Sequence, residues 1–171
     1  MPSSLDTPTL LRVIKAAAIF ISAASSGTLL TISAFGVPNF LAIPSNLMLQ
    51  QWEHTYNQGK KFMPPIAGTA ALGYFYLAHR FGGLSATTGP ARAFALAGGL
   101  CISIVPYTTA LMKPTNNALL KKREESKGLT LGMAGVEDLG AKQLVGRWGM
   151  MNLGRSALLG SAAFIALFVS L

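Results

Sequence analysis

Two stretches of this chain repeat one spacing of residues that could do chemistry. Trp52, Tyr56 and Gly59 stand at i, i+4 and i+7, and so do Trp148, Asn152 and Arg155, which puts each trio on one face of a helix. Indole and phenol rings stack flat apolar guests, a carboxamide donates and accepts hydrogen bonds, and a guanidinium stabilises an oxyanion. Arg155 is the most telling of the six. It lies about two turns into an apolar run that reaches Leu171 without another charge, where a cation is costly unless it is paired or reaches water. Glu53 is the first candidate counter-charge, with Glu137 and Asp138 as alternatives. Arg147, at the start of the same run, can snorkel to headgroups and reads as an anchor. Trp148 also fits an interfacial aromatic belt.

A third candidate is "MKPTNNALL", residues 112–120. Pro114 suits a helix start, and Thr115 or Asn116 could cap free amides. Capping accounts for one asparagine and not for Asn116 and Asn117 together, so a ligand-facing role is open for at least one. Proton abstraction near neutrality would suit His54 or Glu53, although on a regular helix His54 points roughly opposite to Trp52 and Tyr56. His54 and His79 do not make a shared haem or metal site, because they bracket an apolar block and the helical rise carries them to opposite ends of it. His79 reads as an interfacial residue beside Arg80.

The elements that must position these residues are membrane spans. The 171 residues are 51% apolar and 12% charged, against about 25% charged in a soluble domain, and the apolar residues gather in blocks. Four spans are expected, at about 16–37, 63–81, 91–112 and 144–171, forming an all-α integral-membrane four-helix bundle in one domain. The first is too long for a secretory signal core; its Ser22, Ser25, Ser26, Thr28, Thr31 and Ser33 fit close packing and bonds to their own helix. Pro38 and Pro44 are expected to end it. Ser45–Lys60 then forms a short interfacial amphipathic helix before Pro64 and Pro65 open span two. "ALLKKREESKG" reads as a short solvated helix stopped by Gly128.

A net charge of +8 resides on basic residues that flank apolar blocks without aromatic interleaving, which argues against nucleic acid and for topology signals. By the positive-inside rule, loops one and three share the cytoplasmic side, and a site built from both sits at that mouth of the bundle. The single cysteine, Cys101, lies within an apolar block and supplies neither a disulfide framework nor a metal site. Gly98 and Gly99, or Gly154, Ser161 and Ala162, could pack within one bundle or between copies, which leaves a homo-oligomer open.

Four spans, W-x3-Y-x2-G at Trp52 to Gly59, P-T-N-N at Pro114 to Asn117 and W-x3-N-x2-R at Trp148 to Arg155 together resemble the integral-membrane anthrone oxygenase family of small polyketide tailoring enzymes. The resemblance covers nearly the whole chain in layout and about twenty residues in motif. It implies oxidation of an anthrone-type aromatic polyketide to a quinone by dioxygen, with no cofactor expected and a haem or metal left open. An anthrone has an acidic benzylic CH2, so a base gives a carbanion that reacts with dioxygen. In this role His54 or Glu53 takes the proton; Asn116, Asn152 and Arg155 hold the oxyanion; Trp52, Tyr56, Asn117 and Trp148 bind the rings. The expected partners are an apolar aromatic substrate and the lipid bilayer, in the endoplasmic reticulum or another endomembrane of a eukaryote. A cyclase or rearrangement catalyst using the same pocket, and a non-enzymatic packing or scaffold protein, are the competing readings.

Overall fold

A computed structural model describes residues 7–83, 89–127 and 137–171. These are helical almost throughout, in four rods. The first comprises α1 (Thr7–Thr31), a π-helical turn (Ile32–Gly36) and α2 (Val37–Leu41); the second is α3 (Ser45–Arg80). The third comprises α4 (Gly89–Tyr107), a second π-turn (Thr108–Met112) and α5 (Lys113–Lys127); the fourth is α6 (Leu139–Phe168). α1 packs on α3 and α6, and α4 packs on the same two, so the rods close a ring, with α3 and α6 touching across it. This is an all-α four-helix bundle.

Three rods, Pro8–Leu41, Gly89–Lys127 and Leu139–Phe168, are long and apolar enough to cross a membrane. The expected second span is the carboxy-terminal half of α3, whose composition does not place it with these three. Phe20, Phe35, Leu72, Phe164 and Phe168 lie exposed on the outer faces, an arrangement compatible with a lipid surround.

The rods run through prolines expected to break them. Ser45–Lys60 is not a separate interfacial helix; it continues through Pro64 and Pro65 to Arg80 as one helix of 36 residues. Pro38 does not end the first rod, and Pro114, in the first turn of α5, does not interrupt the third. The physical reason at the last two is a shifted register. A proline ring presses on the carbonyl four residues back, here Ala34 and Ala110, and both lie inside a π-turn. There the Val37 amide bonds to Ile32 and the Lys113 amide to Thr108, each five residues back, so the widened turn makes room. Each π-turn ends two residues before its proline.

The bundle core is sealed by small residues. Tyr74 stacks on Phe94 at 6.5 Å between centroids, and its hydroxyl meets Ser22 Oγ at 2.7 Å. A Cβ on Gly98 would stand 2.7 Å from the Phe75 ring, and one on Gly149 would stand 2.9 Å from Val37, so glycine is needed at both crossings. Gly98 and Ala162 therefore serve this bundle, whereas Gly99 and Ser161 face outward. The hydroxyls of the first rod divide their work. Ser22, Ser25 and Thr28 bond to carbonyls of their own helix, while Ser26 and Ser33 reach Ser156 and Gly149 of α6.

At one end the starts of α3 and α6 and the arm of α5 are clasped together, bringing the expected first and third loops to one side. Ser45 Oγ accepts from the Asp138 amide at 2.8 Å and donates to Glu137 at 3.3 Å. Asp138 caps α6 through the Ala141 amide at 2.9 Å and receives Lys122 Nζ at 2.6 Å. Hydrogen bonds from Lys142 and Lys122 hold the Glu137 and Asp138 carboxyls below the ordinary carboxylate range. A lowered folded-state pKa stabilises above the unfolded value and is lost as pH falls through the folded one. The clasp is therefore expected to loosen below about pH 4, seen as faster amide exchange at Ala141 and Lys142. Asp138→Asn should remove Asp138's share of that pH dependence. Gly128, the expected stop of the solvated helix, lies outside the described residues.

Candidate functional site

A cavity of about 460 Å³ opens between α3, the second π-turn with α5, and α6. Its deeper wall is apolar, from Leu29, Met63, Ile104 and Met112. Its polar wall is made by Asn116, Asn152 and Arg155, and Tyr56, Gly59, Asn117 and Trp148 also line it. Tyr56 and Gly59 of one stripe, all three residues of the other, and Asn116 and Asn117 of the P-T-N-N segment thus meet at one cavity. α3 delivers Tyr56 and Gly59 because Met48, Leu49 and Trp52 bury the same face a turn or two earlier. α6 delivers Trp148, Asn152 and Arg155 because Val145, Gly149 and Ser156 pin that face inward.

Trp52 stands behind this wall. Completely buried, it stacks on Tyr56 at 5.2 Å between centroids and meets Trp148 edge-on at 6.1 Å. It does not line the cavity itself.

Arg155 has no carboxylate partner among the described residues. Glu53 pairs instead with Arg123 at 2.9 Å and Lys127 at 3.8 Å, Glu137 with Lys142 and Asp138 with Lys122, so none of the three expected counter-charges reaches it. Arg155 Nη1 donates to Asn152 Oδ1 at 3.2 Å. That bond fixes the carboxamide and leaves Asn152 Nδ2 buried without a partner; Arg155 Nε and Asn116 Oδ1 are likewise buried and unpaired. Asn116 caps nothing, since the helix runs through it. Buried polar groups are nearly always bonded, and here two donors and one acceptor without partners belong to residues that line one cavity. Gly154 lets Tyr107 lie against α6 beside Arg155, because a Cβ there would collide with the phenol.

The structure does not bring His54 and Glu53 to this cavity. They open onto a different groove on the outer side of α3, shared with Gln50, Gln51 and Arg123, and His54 is exposed. The cause is helical phase: two residues on from Trp52 is more than half a turn away. His54→Ala is accordingly expected to leave turnover within about twofold of the unaltered protein, measured as oxygen uptake on an anthrone.

Lys60, Lys113 and Thr108 line the cavity as well, and no motif or spacing in the sequence marks them. The lysines read as topology signals. The proline two residues beyond the π-turn was the available sign that Thr108–Met112 is special, since π-turns gather at functional sites.

A family model of anthrone oxygenases matches residues 52–165. An anthrone oxygenase of Cryptosporiopsis sp. is 37% identical over 145 residues, covering 82% of this chain and 75% of its own. One from Aspergillus fumigatus is 30% identical over 146 residues, covering 84% of each chain. Another, from Paecilomyces divaricatus, is 31% identical over 149 residues, covering 84% of this chain and 87% of its own. No solved structure matches. The matched span begins at Trp52, behind the cavity wall, and runs past Arg155, taking in most of the cavity lining between them; the chain belongs to the anthrone oxygenase family of oxidoreductases.

Proposed function

We propose that this protein is an endomembrane oxygenase that converts an anthrone-type aromatic polyketide to its quinone with dioxygen. The observation that carries the reading is the set of unpaired buried groups on one wall: donors on Asn152 and Arg155, an acceptor on Asn116. A ring carbonyl flanked by a phenol hydroxyl presents the complementary pattern, one acceptor and one donor. The apolar wall and the rings of Tyr56 and Trp148 suit the flat faces of the same molecule.

The carbonyl oxygen is placed at Asn152 and Arg155, where charge develops when the benzylic CH2 loses a proton. Donors fixed in advance stabilise that oxyanion more than they stabilise the ketone, so the C–H becomes more acidic in the cavity than in water. Among the described residues no carboxylate or imidazole lines the cavity, and water at the open mouth takes the proton. The carbanion passes one electron to dioxygen, the two radicals join as a peroxide anion, and the proton released earlier returns through water to make the hydroperoxide. Loss of water then leaves the second carbonyl, so that one anthrone and one dioxygen give one quinone and one water.

The test uses the purified full chain in lipid nanodiscs. Addition of an anthrone should consume one dioxygen per quinone formed, at a rate above that of empty discs. Turnover of an aromatic polyketide without oxygen uptake would replace this reading with a cyclase or rearrangement catalyst.

A further inference from the structure

The charge of the cavity is unbalanced. Lys60, Lys113 and Arg155 line it, and among the described residues no acidic one does. All five described acidic side chains are occupied elsewhere: Glu53 on Arg123 and Lys127, Glu124 on Lys127, Glu125 on Lys121, Glu137 on Lys142 and Asp138 on Lys122. Among the described residues, therefore, none supplies a counter-charge to the cavity cations. Arg155 lies deep, beside Asn152. Lys60 and Lys113 are exposed while still lining the space, which puts them at its mouth, one from α3 and one from the first residue of α5. Of the apolar residues on the lining, Val105 is exposed as well.

A neutral, wholly apolar ligand would meet the inner wall and leave two lysines at the entrance with nothing to recognise. From this we infer that the substrate carries a carboxylate on its ring system, held between Lys60 and Lys113 while the ring carbonyl sits at Asn152 and Arg155. The inference rests on the proposed reading of the cavity as the substrate site and names the substrate class more closely: an anthrone carboxylic acid. Two cations at an open mouth recognise one carboxylate by charge, with the aromatic rings directed inward by the apolar wall. Lysines at a partly hydrated rim each contribute modestly, so the expected preference for the acid over a neutral analogue is about tenfold in kcat/KM.

The experiment compares an anthrone carboxylic acid with its methyl ester in nanodiscs of phosphatidylcholine. The acid should be favoured about tenfold. In the Lys60→Met, Lys113→Met double variant the ratio should fall toward one, and Lys60→Arg, Lys113→Arg should restore it. Equal kcat/KM for acid and ester in the unaltered protein overturns the inference. So does a ratio that the double variant leaves intact, the outcome expected if the lysines serve lipid headgroups. Should neither compound consume oxygen, the oxygenase reading fails, and charge selection is read from binding alone. The corresponding anthraquinone carboxylate should then quench tryptophan fluorescence at about tenfold lower concentration than its ester, and equal quenching overturns the inference.

Discussion

Replacing Arg155 by methionine is expected to lower kcat on an anthrone by about 10² to 10³-fold while leaving the bundle folded and no less stable. The two halves of that expectation have one cause. A buried ion pair that loses one member strands the other and destabilises by about 3–5 kcal/mol. Arg155 has no such member: Glu53, Glu137 and Asp138 are held by Arg123, Lys142 and Lys122, and its bond is to the neutral Asn152. A cation kept largely out of water without a counter-charge costs stability, so removing it should raise the melting temperature in detergent or leave it unchanged. Activity at the expense of stability is the mark of a group poised for charge that appears only during the reaction. Arg155→Lys keeps the charge without the planar fork and should recover only part of the rate. Oxygen uptake and the helical circular dichroism melt, taken on the same preparations, decide the matter. Loss of fold in Arg155→Met, with full activity in Arg155→Lys, would return Arg155 to a structural role.

How much of this site could be read from the sequence varies residue by residue. Tyr56, Asn152, Arg155 and Trp148 were legible because a helix repeats every 3.6 residues, and that regularity survives whatever the helices do to one another. The same regularity carried a warning about His54, whose phase is wrong for the Trp52 face, and the structure places it on another groove. The partner of Glu53 was not legible. Arg123 and Lys127 reach it only because α5 continues α4 as one rod past Pro114 and leans on α3, and a proline after an apolar block ordinarily signals a break. The π-turns that let both rods continue involve a one-residue change in hydrogen-bond register, which composition does not encode. Lys60 and Lys113 were hidden for a different reason. A lysine beside an apolar block satisfies the positive-inside pattern whether its ammonium faces headgroups or the mouth of a cavity.

Trp52→Ala should have the largest effect on stability of any single change near the site. Trp52 is completely buried, and emptying such a position costs about 3–5 kcal/mol, to which the two ring contacts add about 0.5–1.5 kcal/mol each. The void would lie directly behind Tyr56 and Trp148, which rest against the lost ring at 5.2 and 6.1 Å between centroids. Both rings would gain room to turn, the cavity would lose its fixed wall, and activity should fall with the melting temperature. Trp52→Phe separates packing from chemistry. The indole Nε1 is buried without a hydrogen-bond partner, so phenylalanine gives up no internal bond and recovers most of the buried area. It should therefore restore most of the stability, with KM for the anthrone close to that of the unaltered protein. If Trp52→Phe melts normally yet loses as much turnover as Trp52→Ala, the indole N–H is itself bonding the substrate, and Trp52 belongs on the cavity wall rather than behind it.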